Sequence, residues 1–243
     1  MRLPRFYCPP PLALGGRVPL PADAAHHAIR VLRMKEGDAL ALFDGAGNEF
    51  MAKVLRADKQ SLTAVIEATR DNDRESPLRI VLAQGISSGD RMDYTLQKAV
   101  ELGVAEILPI ATERSVVKLS GERAAKRIAH WQSVVVSACE QSGRGVVPEV
   151  HAVNGFVDWL AAEADDACRI VLAPDATLRL ADLPRPQGRI VLLAGPEGGL
   201  TDNELSTAQL RGFTPVRLGP RVLRTETAAL AAISAMQALW GDY

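Results

Sequence analysis

After Pro77 the sequence alternates two kinds of segment, and that alternation restricts the fold more than any other feature. "LRIVLAQGI", "VAEILPIAT", "CRIVLAP" and "RIVLLAG" are apolar end to end. Between them lie stretches of helical character: "DRMDYTLQKAVELG", a long one from Glu122 to Ser142, "FVDWLAAEA", "DNELSTAQLRG" and "TETAALAAISAMQALW". Gly103 and Gly143 stand where helices end. "TPVRLG" is one more strand. Strands covered on both faces read as continuous apolar runs, and parallel neighbours need a crossover, which the helices supply. The pattern predicts an α/β domain on a parallel sheet.

The first 70 residues follow a different rule. "DALALFDG", "NEFMAKVLRAD" and "SLTAVIEATR" are short, partly alternating runs, with Asp44-Gly45-Ala46-Gly47 as a hairpin loop. "PADAAHHAIRVLRMKEGD" reads as a short helix or irregular turn ending near Gly37. No crossover helix interrupts the strands, so a small β-barrel is expected. "RDNDRESP", residues 70–77, is polar, closes on Pro77 and is taken as a linker.

Charge and cysteine content exclude several classes. The formal net charge is −1 over 243 residues, so no global basic signal announces nucleic acid. Residues 1–70 carry a net +3 and the remainder −4, a difference small enough to arise by chance. Cys8, Cys139 and Cys168 are far apart and no C-x-x-C occurs. Neither a disulfide framework nor a zinc site is expected, and free thiols fit a reducing cytoplasm. No apolar stretch follows Arg2 and Arg5, so no secretory leader is expected. The apolar run Ala228 to Trp240 is too short to span a bilayer.

"LLAGPEGGLTDNE", residues 192–204, places Gly195, Pro196, Glu197, Gly198 and Gly199 between a strand and a helix. Thr201 stands at the N-cap and Glu204 three residues on, a capping box. The loop then lies at the C-terminal edge of a parallel sheet, where open α/β sheets take ligands. The glycines either let a ligand approach the backbone or serve a tight turn alone, and both readings stand. A phosphate-cradling P-loop needs a lysine that is missing, and the dinucleotide fingerprint G-x-G-x-x-G does not match. A poorly solvated Glu197 would repel phosphate. A neutral or cationic ligand with hydroxyls fits better; S-adenosylmethionine meets that description, which does not single it out.

A second loop, "RLGPRVLRTETAAL", follows another strand and carries Arg221 and Arg224. Thr225 or Thr227 is expected to cap the last helix, with Glu226 in its first turn. That helix has small residues almost all round: Ala228, Ala229, Ala231, Ala232, Ser234, Ala235 and Ala238. Burial on two sides, in a subunit interface or a tight intrachain packing, accounts for them.

These two loops, with "QKAVELGVAEILP" and the "ERS" after it, "ACEQSGRGVVPEV" and "HHAIRVLRMKEGD", resemble the ribosomal RNA small-subunit methyltransferase E family of the SPOUT class, in order and over nearly the whole chain. The resemblance implies a C-terminal α/β trefoil knot over residues 73–243, an exception to the rule against threaded chains, and an RNA-binding β-barrel of PUA type over residues 1–72. It implies S-adenosylmethionine as cofactor, methylation of uracil N3 at one uridine of 16S rRNA near the decoding centre, and a homodimer through the knot domain. The cofactor residues it implies are Leu172 and Ala173, then Gly195, Pro196, Glu197, Gly198 and Gly199. From the last loop come Leu218, Gly219, Leu223, Arg224, Thr225 and Glu226. A side chain at Gly198 or Gly199 is then expected to block the pocket.

Uracil N3 carries a proton and is a poor nucleophile, so a group must take the proton or stabilise the anion left on the carbonyls. Arg221 and Arg224 are the candidates for the second role and Glu226 for the first; Glu226 could instead cap its helix or pair with Arg224. For RNA phosphates the candidates are Arg30, Arg33 and Lys35 in the barrel, with Arg30 and Arg33 sharing a face if helical. Arg114, Lys118 and Arg144 are the candidates in the catalytic domain. A methyltransferase acting on ribose 2′-O or guanine, and a non-enzymatic ribosome-assembly factor, are the alternatives.

Overall fold

The computed structural model describes residues 3–163 and 167–243. Contacts divide the chain into two compact units, Met1–Glu75 with Cys139–Val147, and Ser76–Ala138 with Pro148–Tyr243.

The first unit holds β1 (Arg5–Tyr7), β2 (Arg17–Pro19), α1 (Ala22–His26), β3 (Ala39–Phe43), β4 (Glu49–Ala57) and β5 (Leu62–Arg70). The sheet runs β1-β3-β4-β5-β2, so its backbone pairing does not join β1 to β2. Alternation decides the core: Leu40 and Leu42, Phe50, Ala52 and Val54, and Leu62, Ala64 and Ile66 gather with Phe6, Ala25, Ala28 and Met34 in one cluster. β4 bends through register shifts between Met51 and Ala52 and between Val54 and Arg56. The hairpin loop forms as expected, with Gly45 and Gly47 at positive φ and the Asp44 carboxylate accepting from the N–H groups of Ala46 and Asn48.

The segment after α1 departs from expectation. α1 passes into a π-helical turn, His27–Val31, and helical structure ends there rather than near Gly37. Arg33 follows in the left-handed region at φ 55°, so Arg30 and Arg33 do not share a helical face. Residues 70–77 are not a free linker either. Asn72 donates to Glu49 and to the Gly143 carbonyl, and the Glu75 carboxylate accepts from Arg144 and from the N–H groups of Gly145 and Val146. A polar composition marks a loop but cannot say that its side chains are the ties.

The second unit holds β6 (Arg79–Gly85), α2 (Asp90–Glu101), β7 (Glu106–Ala111) and most of α3 (Gly121–Ser142). It continues with β8 (Glu149–Val150), β9 (Asn154–Gly155), α4 (Phe156–Ala162), β10 (Cys168–Leu172) and β11 (Arg189–Ala194). α5 (Asp202–Leu210), β12 (Thr214–Val216) and α6 (Thr225–Trp240) complete it. The expected helix "FVDWLAAEA" covers α4, and its last residue, Ala164, lies outside the described residues. The sheet runs β12-β10-β11-β6-β7-β8, with β9 also on β7, and every pairing is parallel. Val81, Ala83, Val171, Val191 and Leu193 form one core with Phe156, Trp159 and Leu160 of α4 and Ala208 of α5. Ile80, Leu82, Ile190 and Leu192, on the alternate positions, are fully buried as well. The continuous apolar runs therefore mean what they mean in other parallel sheets: both faces are covered. α6 leaves edge strand β12 and returns to pack on β6, β11 and α2. Of its small residues only Ala238 is exposed.

Glu49 is 4% exposed and accepts from Arg5, itself 6% exposed, at 2.9 Å, from Arg70 at 3.2 Å and from Asn72 at 2.8 Å. Replacing Glu49 by Ala leaves a buried guanidinium without its counter-charge, a loss of about 3–5 kcal/mol. Denaturant unfolding followed by a probe in the first unit should show that loss, and an unchanged midpoint would contradict it.

Candidate functional site

Three chain segments leave the C-terminal ends of β10, β11 and β12 and line one cleft of about 630 Å³ in the second unit. Glycine, proline and alanine recur along the three segments, with leucine and charged side chains between them. Leu172 and Ala173 come from the first segment, Gly195 to Gly199 from the second, and Leu218, Gly219, Leu223, Arg224, Thr225 and Glu226 from the third. Arg221 and Arg114 line the same cleft, whereas Arg30, Arg33, Lys35, Lys118 and Arg144 do not.

Three contacts set how closely the segments approach. Gly85 ends β6 where an added Cβ would lie 2.5 Å from the Pro196 nitrogen, so only glycine permits that approach. The Gly195 carbonyl accepts from the Thr225 hydroxyl at 2.5 Å and from the Gln84 amide at 3.3 Å. Gln84 also donates to Thr225, tying β6, the glycine loop and the start of α6 into one buried network. Thr225 is therefore not the helix cap; Arg224 holds that position, and the hydroxyl goes across to another loop. Gln84 and Gly85 were not identified from sequence, although Gln84 is the lone polar residue inside an apolar strand run and carried a usable signal.

The capping box forms as the sequence spacing required. Thr201 accepts from the Glu204 N–H at 3.2 Å and donates its own N–H to Glu204 Oε2 at 2.9 Å. Glu204 is buried and its other oxygen accepts from the Glu113 N–H at 2.8 Å, across 91 residues of chain. That bond seats the turn bearing Arg114, whose guanidinium donates to the carbonyls of Gly198 and Leu200. Arg114, taken from sequence as an RNA contact, is here bound to the loop.

Glu197 also differs from expectation. Its Oε1 accepts from the Ser88 N–H at 2.8 Å, the Ser88 hydroxyl at 2.7 Å and Arg91 at 3.1 Å. Burial alone would push its pKa up. The hydrogen bonds from Ser88, its own N–H and Arg91 override that and hold the carboxyl at about 2. The charge is already paired, so it does not act as the free anion that would repel phosphate. Ser88 and Arg91 were missed because neither stands in a motif.

The two adjacent glycines have different reasons to be there. At Gly199 the backbone takes φ 69° and an added Cβ would meet nothing within 4 Å. At Gly198 the Cβ would meet Arg114 Cβ at 3.0 Å, a contact tight enough that Arg114 would have to shift. Gly198 lines the cleft as expected, and a side chain there would also press on Arg114. Gly219, at φ 146°, also faces open space. Glu226 Oε2 is buried with no hydrogen-bond partner among the described residues, and no Arg224–Glu226 pair forms there. Arg144 is 4% exposed and donates twice to Glu75, within the first unit, so it is no phosphate contact. Arg30, Arg33, Lys35 and Lys118 are exposed.

Among the described residues no group of His, Cys, Asp and Glu is arranged to hold a metal ion, and no helix is long and apolar enough to cross a membrane.

Residues 74–237 match the family described as RNA methyltransferase domain, and residues 20–67 the one described as RNA methyltransferase PUA domain. The chain is 35% identical over 241 residues to the ribosomal RNA small subunit methyltransferase E of Buchnera aphidicola subsp. Schizaphis graminum, covering 99% of this chain and 98% of that one. It is 35% identical to the Bacillus subtilis protein of the same name over 225 residues, 88% and 87% of the two chains. The Neisseria gonorrhoeae ribosomal RNA small subunit methyltransferase E, crystallised bound to S-adenosyl methionine, superposes at TM-score 0.94 with 46% identity over 100% of both chains. A Legionella pneumophila methyltransferase in complex with the same cofactor superposes at 0.96 with 40% identity, also over 100% of both.

The Glu197 contacts set a pH dependence. A carboxyl whose folded pKa lies below its unfolded value stabilises fully above the unfolded value, near 4.5, and loses that contribution as pH falls through about 2. Thermal unfolding of Glu197→Gln against wild type should therefore show a stability gap that is constant above pH 5 and narrows between about 4.5 and 2. A gap that widens on acidification would show the sign to be wrong.

Proposed function

Given that this chain belongs to the ribosomal RNA small-subunit methyltransferase E family, we propose that it methylates N3 of a uracil in 16S rRNA, using S-adenosylmethionine bound in the cleft. The carrying observation is the cleft itself, which gathers the glycine-containing segments that follow three parallel strands. The residues present suit such a cofactor. Gly199 and Gly219 leave open space where side chains would stand. Backbone N–H and C=O groups are the donors and acceptors that an adenine edge needs, and Leu218 and Leu223 offer apolar contact to its faces. The cofactor supplies an electrophilic methyl group on a sulfonium.

The chain's own residues do the rest. Arg221 and Arg224, in the cleft wall, stabilise negative charge on the uracil carbonyls as the N3 proton leaves. Glu226 accepts that proton; its Oε2 has no hydrogen-bond partner among the described residues, and the residue lines the cleft in the first turn of α6. Thr225 and Gln84 hold the Gly195 carbonyl and so fix the loop that aligns the reacting groups. Residues 73–243 form the catalytic part and residues 1–72 an RNA-binding part in this reading. The homodimer implied by the family resemblance would use the knot domain, and the substrate is the small-subunit rRNA, free or assembled.

The test is incubation with labelled S-adenosylmethionine and unmodified small subunits, followed by mass mapping of the RNA. Label at uracil N3 is expected; label on a ribose or a purine would overturn the assignment. Glu226→Gln should lower kcat about 100-fold or more, since one acid–base group contributes roughly that much. Retention of full kcat would remove Glu226 from its role. Thr225→Val, which keeps shape but removes the hydroxyl, should weaken cofactor binding by about 5- to 10-fold, in line with one hydrogen bond of about 1 kcal/mol. Calorimetry reads that directly.

A further inference from the structure

The turn that follows α1 is built at a conformational cost, and the side chains it displays have no use inside the fold. Ala25, Ala28 and Met34 anchor it in the core of the first unit. Leu32 closes the π-helical turn by donating its N–H to the His27 carbonyl at 3.1 Å, and the Met34 N–H reaches back to the Ala28 carbonyl at 3.0 Å. The second bond reaches six residues back, and the residue just before Met34 takes the left-handed conformation that glycine usually supplies where a helix ends. Here the residue is Arg33, the only non-glycine at positive φ among the described residues. Strain kept at a surface position where glycine would relieve it points to the side chain's use.

What surrounds Arg33 identifies the use. Val31 is 61% exposed and Leu32 42%, adjacent on a segment whose other apolar residues are buried or half-buried. Arg30 precedes them and Lys35 follows, both exposed, and from His26 to Lys35 there is no acidic residue. Arg30, Arg33 and Lys35 make no ion pair among the described residues. Two aliphatic side chains framed by three unpaired cations complement a polyanion that exposes apolar faces between its charges. Unpaired RNA has that chemistry, with base faces open and phosphates alongside, whereas a duplex hides its base faces in the stack.

We infer that the turn Arg30–Lys35 is a docking element for single-stranded RNA, in which Val31 and Leu32 pack on the faces of unstacked bases while Arg30, Arg33 and Lys35 hold the flanking phosphates. The inference rests on the rRNA-modifying function proposed above and adds the strandedness of the RNA, two apolar contacts and the reason for the strained arginine. Phosphate contacts position the RNA without reading its sequence, and apolar side chains inserted at a base step favour RNA that is already unstacked.

The experiment measures binding of the full chain to an unstructured oligouridine, to an RNA duplex of equal length and to naked 16S rRNA, over a range of salt. Wild type should favour the oligouridine over the duplex. Leu32→Ser should weaken oligouridine binding by about 5- to 100-fold, the effect of losing one base contact, and leave the salt slope unchanged. Arg33→Gly should reduce the slope of log affinity against log salt by about 0.7. The same variant should keep its melting temperature or gain about 2–4 °C from relief of strain, a gain no merely structural arginine would give. Wild-type affinity in either variant, or preference for the duplex, would overturn the inference. Full binding and methylation by wild type with silent variants would sink this inference alone. Variant effects on binding without any methyl transfer by wild type would sink the proposed reaction alone.

Discussion

One carbonyl oxygen, that of Gly195, ties the glycine loop of the cleft to the start of α6 and to the end of β6. It takes hydrogen bonds from Thr225 in the one and from Gln84 in the other. The peptide carrying it can come that near only because Gly85 has no side chain to meet Pro196. The Gln84 amide nitrogen supplies the bonds to Gly195 and Thr225, while the Gln84 Oε1 is buried with no hydrogen-bond partner among the described residues. The bonds to the Gly195 carbonyl hold the glycine loop against its neighbours where it has no side chains to pack.

The architecture was legible because it depends on periodicity. End-to-end apolar strands can be stable only with both faces covered, and the observed parallel sheet follows. Local hydrogen-bond motifs were legible for the same reason: Thr201 and Glu204 are three residues apart in any context, so their reciprocal bonds need no tertiary information. What the sequence withheld depends on partners far along the chain. Thr225 looks like a cap until Gly195 is placed beside it. Gly198 and Gly199 are the same letter, yet one avoids Arg114 and the other adopts a left-handed turn. Arg144 carries a charge that reads as a surface cation, and only the position of Glu75 shows that it is buried. The polar run 70–77 contains that glutamate, and composition cannot distinguish a strap from a linker.

A net charge near zero likewise conceals a local arrangement. The cleft is lined by Arg91, Arg114, Arg217, Arg221 and Arg224 beside Asp175, Glu197, Asp202 and Glu226. Two of those arginines are committed to the protein, Arg91 to Glu197 and Arg114 to two carbonyls. Counting charges in a pocket therefore overstates what a ligand would feel, and the hydrogen-bond partner of each group is the better guide. On that measure Arg221, Arg224 and Glu226, like Asp175 and Asp202, have no side-chain partner among the described residues.

Glu204 links two regions through the two oxygens of one carboxylate. One oxygen completes the first turn of its own helix and the other secures the peptide of Glu113, on a strand end much earlier in the chain. A fluctuation that frays the helix start must also loosen the distant turn, and with it the grip of Arg114 on the glycine loop. The rim of the cleft is thus a single cooperative unit whose order is inherited from a helix terminus. Slow exchange of the Glu113 and Glu204 amides should rise and fall together, as expected of protons sharing one opening event.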